Sequence, residues 1–161
     1  MQAHGITVEL PTGFEGRIFR RTGTGPEWAG AVVHAATFAL PEEVGDFGGG
    51  AVNRMGGADV FASLFEYGPD GLGTPLFARQ CMPRALSASD FLPYVLRRGL
   101  PGQSGSQWFF TEGARPFTLY VVLGSHARRT ALVPRVNALL ARLVVGPVSV
   151  SAPTPVGAPW N

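Results

Sequence analysis

Glycine and proline interrupt this chain at short intervals, and that limits how long any regular element can run. The 161 residues include 22 glycines and 14 prolines, well above the combined share of roughly 12% that is usual in proteins. Hydrophobic residues nevertheless make up 45% of the sequence, and a chain of this size buries about 70% of its unfolded surface. We therefore expect one turn-rich globular domain that folds without a disulfide or a metal.

Apolar residues that alternate with a period of two predict several short strands. In the first, Ile6, Val8 and Leu10 alternate with polar residues. The strand that holds Phe61 and Phe65 is apolar on both faces, so both faces should be covered. The expected strands are 6–10, 17–21, 31–40 and 59–67, followed by a hairpin with arms at 108–111 and 117–123.

Two segments carry helical patterns. Ser87 or Ser89 can cap a helix that Asp90 stabilises through the helix dipole, and its apolar stripe would consist of Phe91, Leu92, Val95 and Leu96. A second, amphipathic helix is expected from about Thr130 to Leu143. The fold class is then α+β: a mainly antiparallel sheet flanked by helices in an α/β/α sandwich, with the amphipathic helix C-terminal. The domain spans 1–145, and the proline-rich residues 146–161 form a flexible or extended tail.

The opening strand followed by Leu10-Pro11-Thr12-Gly13-Phe14 resembles the start of the PsbP-like group, in which Pro-x-Gly and an aromatic residue follow a strand. The closing hairpin and long helix are similar to that architecture as well. The runs 100–105 and 120–125 also resemble a group of actinobacterial proteins. The PsbP-like resemblance implies a fold that mostly serves protein binding, and it supplies no catalytic residues.

The chain contains no lysine, because all 13 residues counted as lysine or arginine are arginine. This excludes the phosphate-binding lysine of a P-loop, the strand lysine of kinases and Schiff-base catalysis. The net charge is only +2, so nucleic acid is not expected as a partner. A signal peptide and a run long enough for a membrane span are not visible, and a lone Cys81 suits a reducing compartment; we expect a cytoplasmic protein.

Candidate catalytic groups are few. His34 could be a buried base if Glu66 on a neighbouring strand orients it. Ser104 lies in Gly102-Gln103-Ser104-Gly105-Ser106, which lacks the second glycine of a nucleophile elbow. Cys81 stands near Arg79 and Arg84, which would favour its thiolate. The histidines and the cysteine have no metal-ligand spacing, so no metal or cofactor is expected.

Arginine beside aromatic residues is the remaining pattern, and it is typical of protein interfaces. The sequence predicts a binding surface that consists of Arg17, Phe19, Arg20, Arg21, Tyr94, Arg97 and Arg98, with Trp160 as an anchor in the tail. The leading hypothesis is a non-enzymatic protein-binding, scaffold or assembly module whose partner is an acidic protein. The alternatives are a self-assembling subunit that uses the tail, and a small hydrolase that uses His34 with Glu66 or Ser104.

Overall fold

The computed structural model describes residues 1–21, 30–95 and 100–147. In these ranges the chain forms eight β-strands, one α-helix and four short 3-10 turns. The strands are β1 (Gln2–Ala3), β2 (Ile6–Val8), β3 (Glu15–Arg20), β4 (Ala31–Ala36), β5 (Val60–Glu66), β6 (Ser104–Glu112), β7 (Arg115–Leu123) and β8 (Leu143–Val145); the helix is α1 (Arg129–Leu140). The 3-10 turns span Ala51–Arg54, Pro69–Gly71, Pro75–Phe77 and Ala88–Asp90. The molecule is therefore α+β.

Five strands form the main sheet in the order β3-β4-β5-β7-β6, and all neighbours are antiparallel. The hairpin expected near 108–123 is confirmed as β6 and β7. Gly113 and Ala114 join them with φ angles of 60° and 57°, the pair of positive values that a tight two-residue hairpin turn requires. The apolar strand around Phe61 is confirmed as β5, which is buried on both faces.

One face of the main sheet, here called the helix-covered face, packs against α1. Leu64 and Val121 from the sheet share a buried cluster with Val136 and Leu140 from the helix. The expected C-terminal helix is thus confirmed, but it ends at Leu140, and Leu143, its expected last residue, begins β8. Pro134 is tolerated inside α1 because it lies on the exposed side of the helix. Proline has no N–H to donate to the carbonyl of Thr130, four residues earlier, and water can reach that carbonyl instead.

The expected helix over Phe91 to Val95 is wrong. Ser87 and Asp90 do form the predicted cap, with Ser87 N donating to Asp90 Oδ2 at 2.7 Å, but the turn ends at Asp90. Leu92 instead pairs with Gly105 of β6, and Pro93 cannot donate the backbone hydrogen bond of a continuing helix. Leu96, the last residue of that stripe, lies outside the described residues.

The α/β/α layering is accordingly only half present, since the described residues hold a single α-helix. The other face of the main sheet, here called the loop-covered face, packs against the segment 37–59. Ala51 and Val52 of that segment are buried against Phe61, Tyr120 and Val122.

A second, three-stranded sheet joins the two ends of the described chain in the order β1-β2-β8. Ile6 lies opposite Val145, and Val8 lies opposite Leu143. Gly146 continues this pairing by donating its N–H to Gly5 O at 2.7 Å. Most of the expected tail, residues 148–161 including Trp160, lies outside the described residues.

Candidate functional site

A row of polar side chains crosses the loop-covered face of the main sheet. Arg17, His34, Ser63, Tyr120 and Gln107 lie directly opposite one another on five neighbouring strands. Residues opposite each other in an antiparallel sheet point to the same face. His34 and Ser63 are completely buried in this row.

His34 is held as a neutral imidazole. Arg17 Nε donates to its Nδ1 at 3.1 Å, and the rings of Phe19 and Phe61 meet the imidazole edge-on at centroid distances of 5.0 and 5.5 Å. Burial, reinforced by the charge of Arg17, lowers the pKa of His34 to about 4. The nitrogen that a general base would need is therefore already occupied by a guanidinium N–H.

The same arginine fixes the segment above the row. Arg17 Nη1 donates to Pro41 O at 2.6 Å, and Nη2 donates to Glu43 O at 3.0 Å. A short distance along the segment, Ser63 Oγ donates to Asp46 O at 2.5 Å, and Arg21 Nε lies 2.9 Å from Asp46 Oδ1. Burial raises the pKa of Asp46, while the charge of Arg21 opposes that effect.

A cavity of about 240 Å³ opens beside this segment. Its lining consists of Gly45, Asp46, Phe47, Gly49, Gly50, Val52, Asn53 and Tyr120. The volume is below the 300 to 1,000 Å³, roughly, of typical small-molecule sites. Asp46 is the one carboxylate among the lining residues, and no nucleophile and base are paired there.

The residues of the hydrolase alternative do not meet. His34 lies on the loop-covered face, whereas Glu66 lies on the helix-covered face, because it is an odd number of residues from Ser63 along β5. Glu66 is bound by Arg115 through Nε at 2.7 Å and Nη2 at 2.8 Å. Burial raises the pKa of Glu66. The hydrogen bonds from Arg115 and from Ala31 N, together with the charges of Arg115 and Arg20, outweigh that effect and hold the pKa below its usual value. Ser104 is buried on the helix-covered face as well.

The structure distributes the predicted binding surface over several environments. Arg17, Phe19 and Arg21 are half-buried on the loop-covered face, where the two arginines bind the segment above them. Arg20 is exposed, with its Nε 3.2 Å from His4 Nδ1. Tyr94 is 81% exposed. Arg97, Arg98 and Trp160 lie outside the described residues.

Tyr94, which the sequence predicts as part of the binding surface, lies near other exposed apolar residues that the sequence analysis did not assign to that surface. Leu92, Val95 and Leu100, on either side of residues 96–99, are exposed as well, and the four are called the 92–100 patch below. Leu92 anchors the patch to β6, because its N–H and C=O both bond to Gly105 at 3.1 and 3.0 Å. The patch thus begins at an edge of the main sheet. A long-range strand pairing produces this arrangement, and the local pattern of the sequence does not reveal it.

Cys81 is exposed and adopts a φ of 67°. In the described ranges, no group of three or more potential ligands is placed to hold a metal ion. No helix in the part of the chain that the structure describes is long and apolar enough to cross a membrane. Comparison with protein-family models, with curated proteins and with solved structures gave no match.

Proposed function

We propose that this chain is a non-enzymatic protein-binding module and that the 92–100 patch contacts the partner. The exposure of Tyr94 carries the proposal: an aromatic side chain that is 81% exposed leaves much of its apolar surface in water. Clusters of exposed aromatic and aliphatic residues are typical of interaction sites on otherwise polar surfaces. Leu92 and Val95 extend the apolar area around it.

Positive charges beside β6, and next to Tyr94 in the sequence, favour an acidic partner. Arg79 is exposed and lies over the Trp108 ring at 4.8 Å, and the sequence places Arg97 and Arg98 directly after Tyr94, Val95 and Leu96. Arginine can bind a carboxylate through two parallel hydrogen bonds while it packs against an aromatic ring. The PsbP-like resemblance, whose fold mostly serves protein binding, is consistent with this proposal and remains a prediction.

Photo-crosslinking from position 94 tests the proposal in the organism's own cells. A photoreactive phenylalanine analogue replaces Tyr94, and in a control protein it replaces Leu76, which is 55% exposed elsewhere on the surface. We expect a discrete cross-linked product from position 94 and none from position 76. The same product should weaken when Leu92→Ser accompanies the probe, because that change removes apolar area next to it.

Two outcomes would contradict the proposal. Equal products from positions 94 and 76 would show that the contact is not specific to the patch. A product at twice the mass of the chain would show that the occupant is a second copy. That result would favour the self-assembly alternative, and deletion of 148–161 with light scattering would then test whether the tail is needed.

A further inference from the structure

We propose that β6 binds an extended acidic peptide of the partner as an additional antiparallel or parallel strand, opposite Ser106–Phe110. This inference rests on the proposed protein-binding function and specifies how the partner is bound. Peptides that add a strand to an exposed sheet edge use main-chain hydrogen bonds for affinity and alternate side chains for specificity.

The hydrogen-bonding pattern of β6 leaves part of its outer edge open. Gly105 and Thr111 direct their N–H and C=O groups away from β7: Gly105 bonds to Leu92, and Thr111 bonds to Arg79 and Cys81. The side of bonding alternates along a strand, so Gln107 and Phe109 also direct theirs outward. Among the described residues, neither of these two has a backbone partner on that side. Within the part of the chain that the structure describes, four backbone groups of Gln107 and Phe109 thus have no backbone partner, whereas Gly105 and Thr111 on either side of them do.

The segment that bonds to both ends makes no backbone hydrogen bond to Gln107 or Phe109 in the middle. It leaves β6 after Gln80, which pairs with Thr111, and returns at Leu92. In between it packs toward α1: Leu86 N donates to Asn137 Oδ1 at 2.8 Å, and Asn137 Nδ2 donates to Leu86 O at 2.9 Å. The distance along β6 from Gly105 to Thr111 is about 20 Å, which accommodates an added strand of about five residues.

The side chains beside this gap indicate the chemistry of the peptide. Trp108 is half-buried, and Arg79 lies over its ring. Arg79 has no acidic partner among the residues described. Glu112, the acidic residue of β6, is already bound by Arg84 at 2.6 Å. A carboxylate on the peptide residue next to Trp108 would pair with Arg79, and apolar residues would continue onto Leu92 and Tyr94.

Side chains crowd β3, the opposite edge strand of the main sheet. On β3 the outward groups belong to Gly16, Ile18 and Arg20, because Arg21 bonds inward to Gly30. Side chains of Leu10 and Met1 lie so close to Gly16 that a Cβ there would be 2.8 Å from each. Arg20 also contacts His4. Strand β3 therefore serves as the edge with which peptide binding at β6 is compared.

The probe is a labelled five-residue peptide of alternating valine and glutamate, blocked at both ends. We expect saturable binding by fluorescence anisotropy, at least about tenfold tighter than a peptide with lysine in place of glutamate. In amide hydrogen exchange, the N–H groups of Gln107 and Phe109 should become protected, while that of Trp108, which already bonds to β7, should not change. Equal affinity for the two peptides would overturn the acidic specificity.

Gln107→Pro removes one outward N–H without removing a β6–β7 hydrogen bond, and proline is tolerated at such edge positions. We expect this variant to lose at least about tenfold in affinity and Gln107→Ala to bind normally, since the side chain is not the ligand. Arg20→Pro removes an outward N–H at the β3 edge, together with the contact between Arg20 and His4, and should bind normally. If Gln107→Pro does not fold, amide exchange in the unaltered protein still tests whether the peptide protects the N–H groups of Gln107 and Phe109.

Protection on β3 instead of β6 would overturn the inference, and so would protection of Gln107 and Phe109 by concentrated protein alone, which would identify a second copy as the occupant. The two proposals fail separately. A specific cross-link from Tyr94 without peptide protection of β6 would leave a protein-binding module that does not use strand addition.

Discussion

Arginine side chains in this protein mainly hold backbone carbonyls in place. Arg17 binds the carbonyls of Pro41 and Glu43, Arg84 binds Leu143 O at 2.8 Å, and Arg115 binds His4 O at 3.1 Å. A guanidinium has five donors in a fixed plane and can serve several acceptors together, which an ammonium group does less well. The lysine-free composition is therefore consistent with an internal structural role for many of the arginines.

The buried pair Arg115–Glu66 should be the most sensitive of these contacts. Arg115→Met leaves the Glu66 carboxylate buried without its partner, so we expect the free energy of unfolding to fall by about 3 to 5 kcal/mol. Urea denaturation measures this loss. Arg84→Met is the control: its ion pair with Glu112 is partly exposed and should contribute about 1 kcal/mol or less. Equal losses in the two variants would contradict the importance of burial.

His34 should make stability depend on pH. Its pKa is about 4 in the folded protein and about 6.5 in an unfolded chain, so the unfolded state takes up the proton first as the pH falls. The contribution of neutral His34 to the free energy of unfolding is fully present above about pH 6.5. It decreases by about 3 kcal/mol between pH 6.5 and pH 4 and does not change further below pH 4.

The difference in unfolding free energy between the unaltered protein and His34→Gln, measured from pH 7.5 to 4, isolates this contribution. Glutamine can still accept the Arg17 hydrogen bond but does not titrate. A His34→Gln profile parallel to that of the unaltered protein would show that the histidine is not held neutral.

At the scale of elements, the segment 37–59 contains glycines at which any larger residue would be both strained and too close to its neighbours. Gly49 has a φ of 56°, and a Cβ there would lie 2.4 Å from Glu43 O. Gly102 has a φ of 85°, but a Cβ there would meet nothing within 4 Å. An alanine would be strained by the positive φ at both positions, but only at Gly49 would its Cβ collide with a neighbouring backbone atom.

We expect Gly102→Ala to cost about 1 kcal/mol through backbone strain alone, and Gly49→Ala to cost at least about 2 kcal/mol more because the backbone must move. Thermal unfolding compares the two variants. Similar melting temperatures would indicate that the segment adjusts freely to an added methyl group.

The sequence is informative where an element is determined locally. The β6–β7 hairpin, the apolar strand β5 and the helix α1 follow from alternation, turn residues and a helical stripe. The expected helix after Asp90 is wrong because Leu92 pairs with Gly105, a contact between distant parts of the chain. Local propensity carries no information about such a pairing.

The candidate sites depend on register to an even greater extent. His34 is visible in the sequence as a histidine on an apolar strand face, but the row that joins it to Arg17, Ser63 and Tyr120 exists only once the strands are aligned. The open edge at Gln107 and Phe109 likewise follows from which neighbour each backbone group bonds to. Tyr94 is the exception, because its local arginine-aromatic pattern identifies it without register.

At the scale of the whole molecule, β8 rather than the residues after it should be needed for folding. Deleting 148–161 leaves every described contact in place, so we expect an unchanged melting temperature. Deleting 143–161 removes β8, exposes Ile6 and Val8, and should abolish cooperative unfolding. Circular dichroism on heating compares the two truncations, and a cooperative transition in the shorter one would contradict the role of β8.

The pairing of β2 with β8 also determines when the protein can finish folding during synthesis. Ile6 and Val8 are made more than 130 residues before their strand partners Val145 and Leu143. The β6–β7 hairpin can form as soon as it leaves the ribosome, because its contacts are local. Strand β2 must wait with its apolar side chains unpaired until β8 emerges, and over that interval these side chains are open to aggregation.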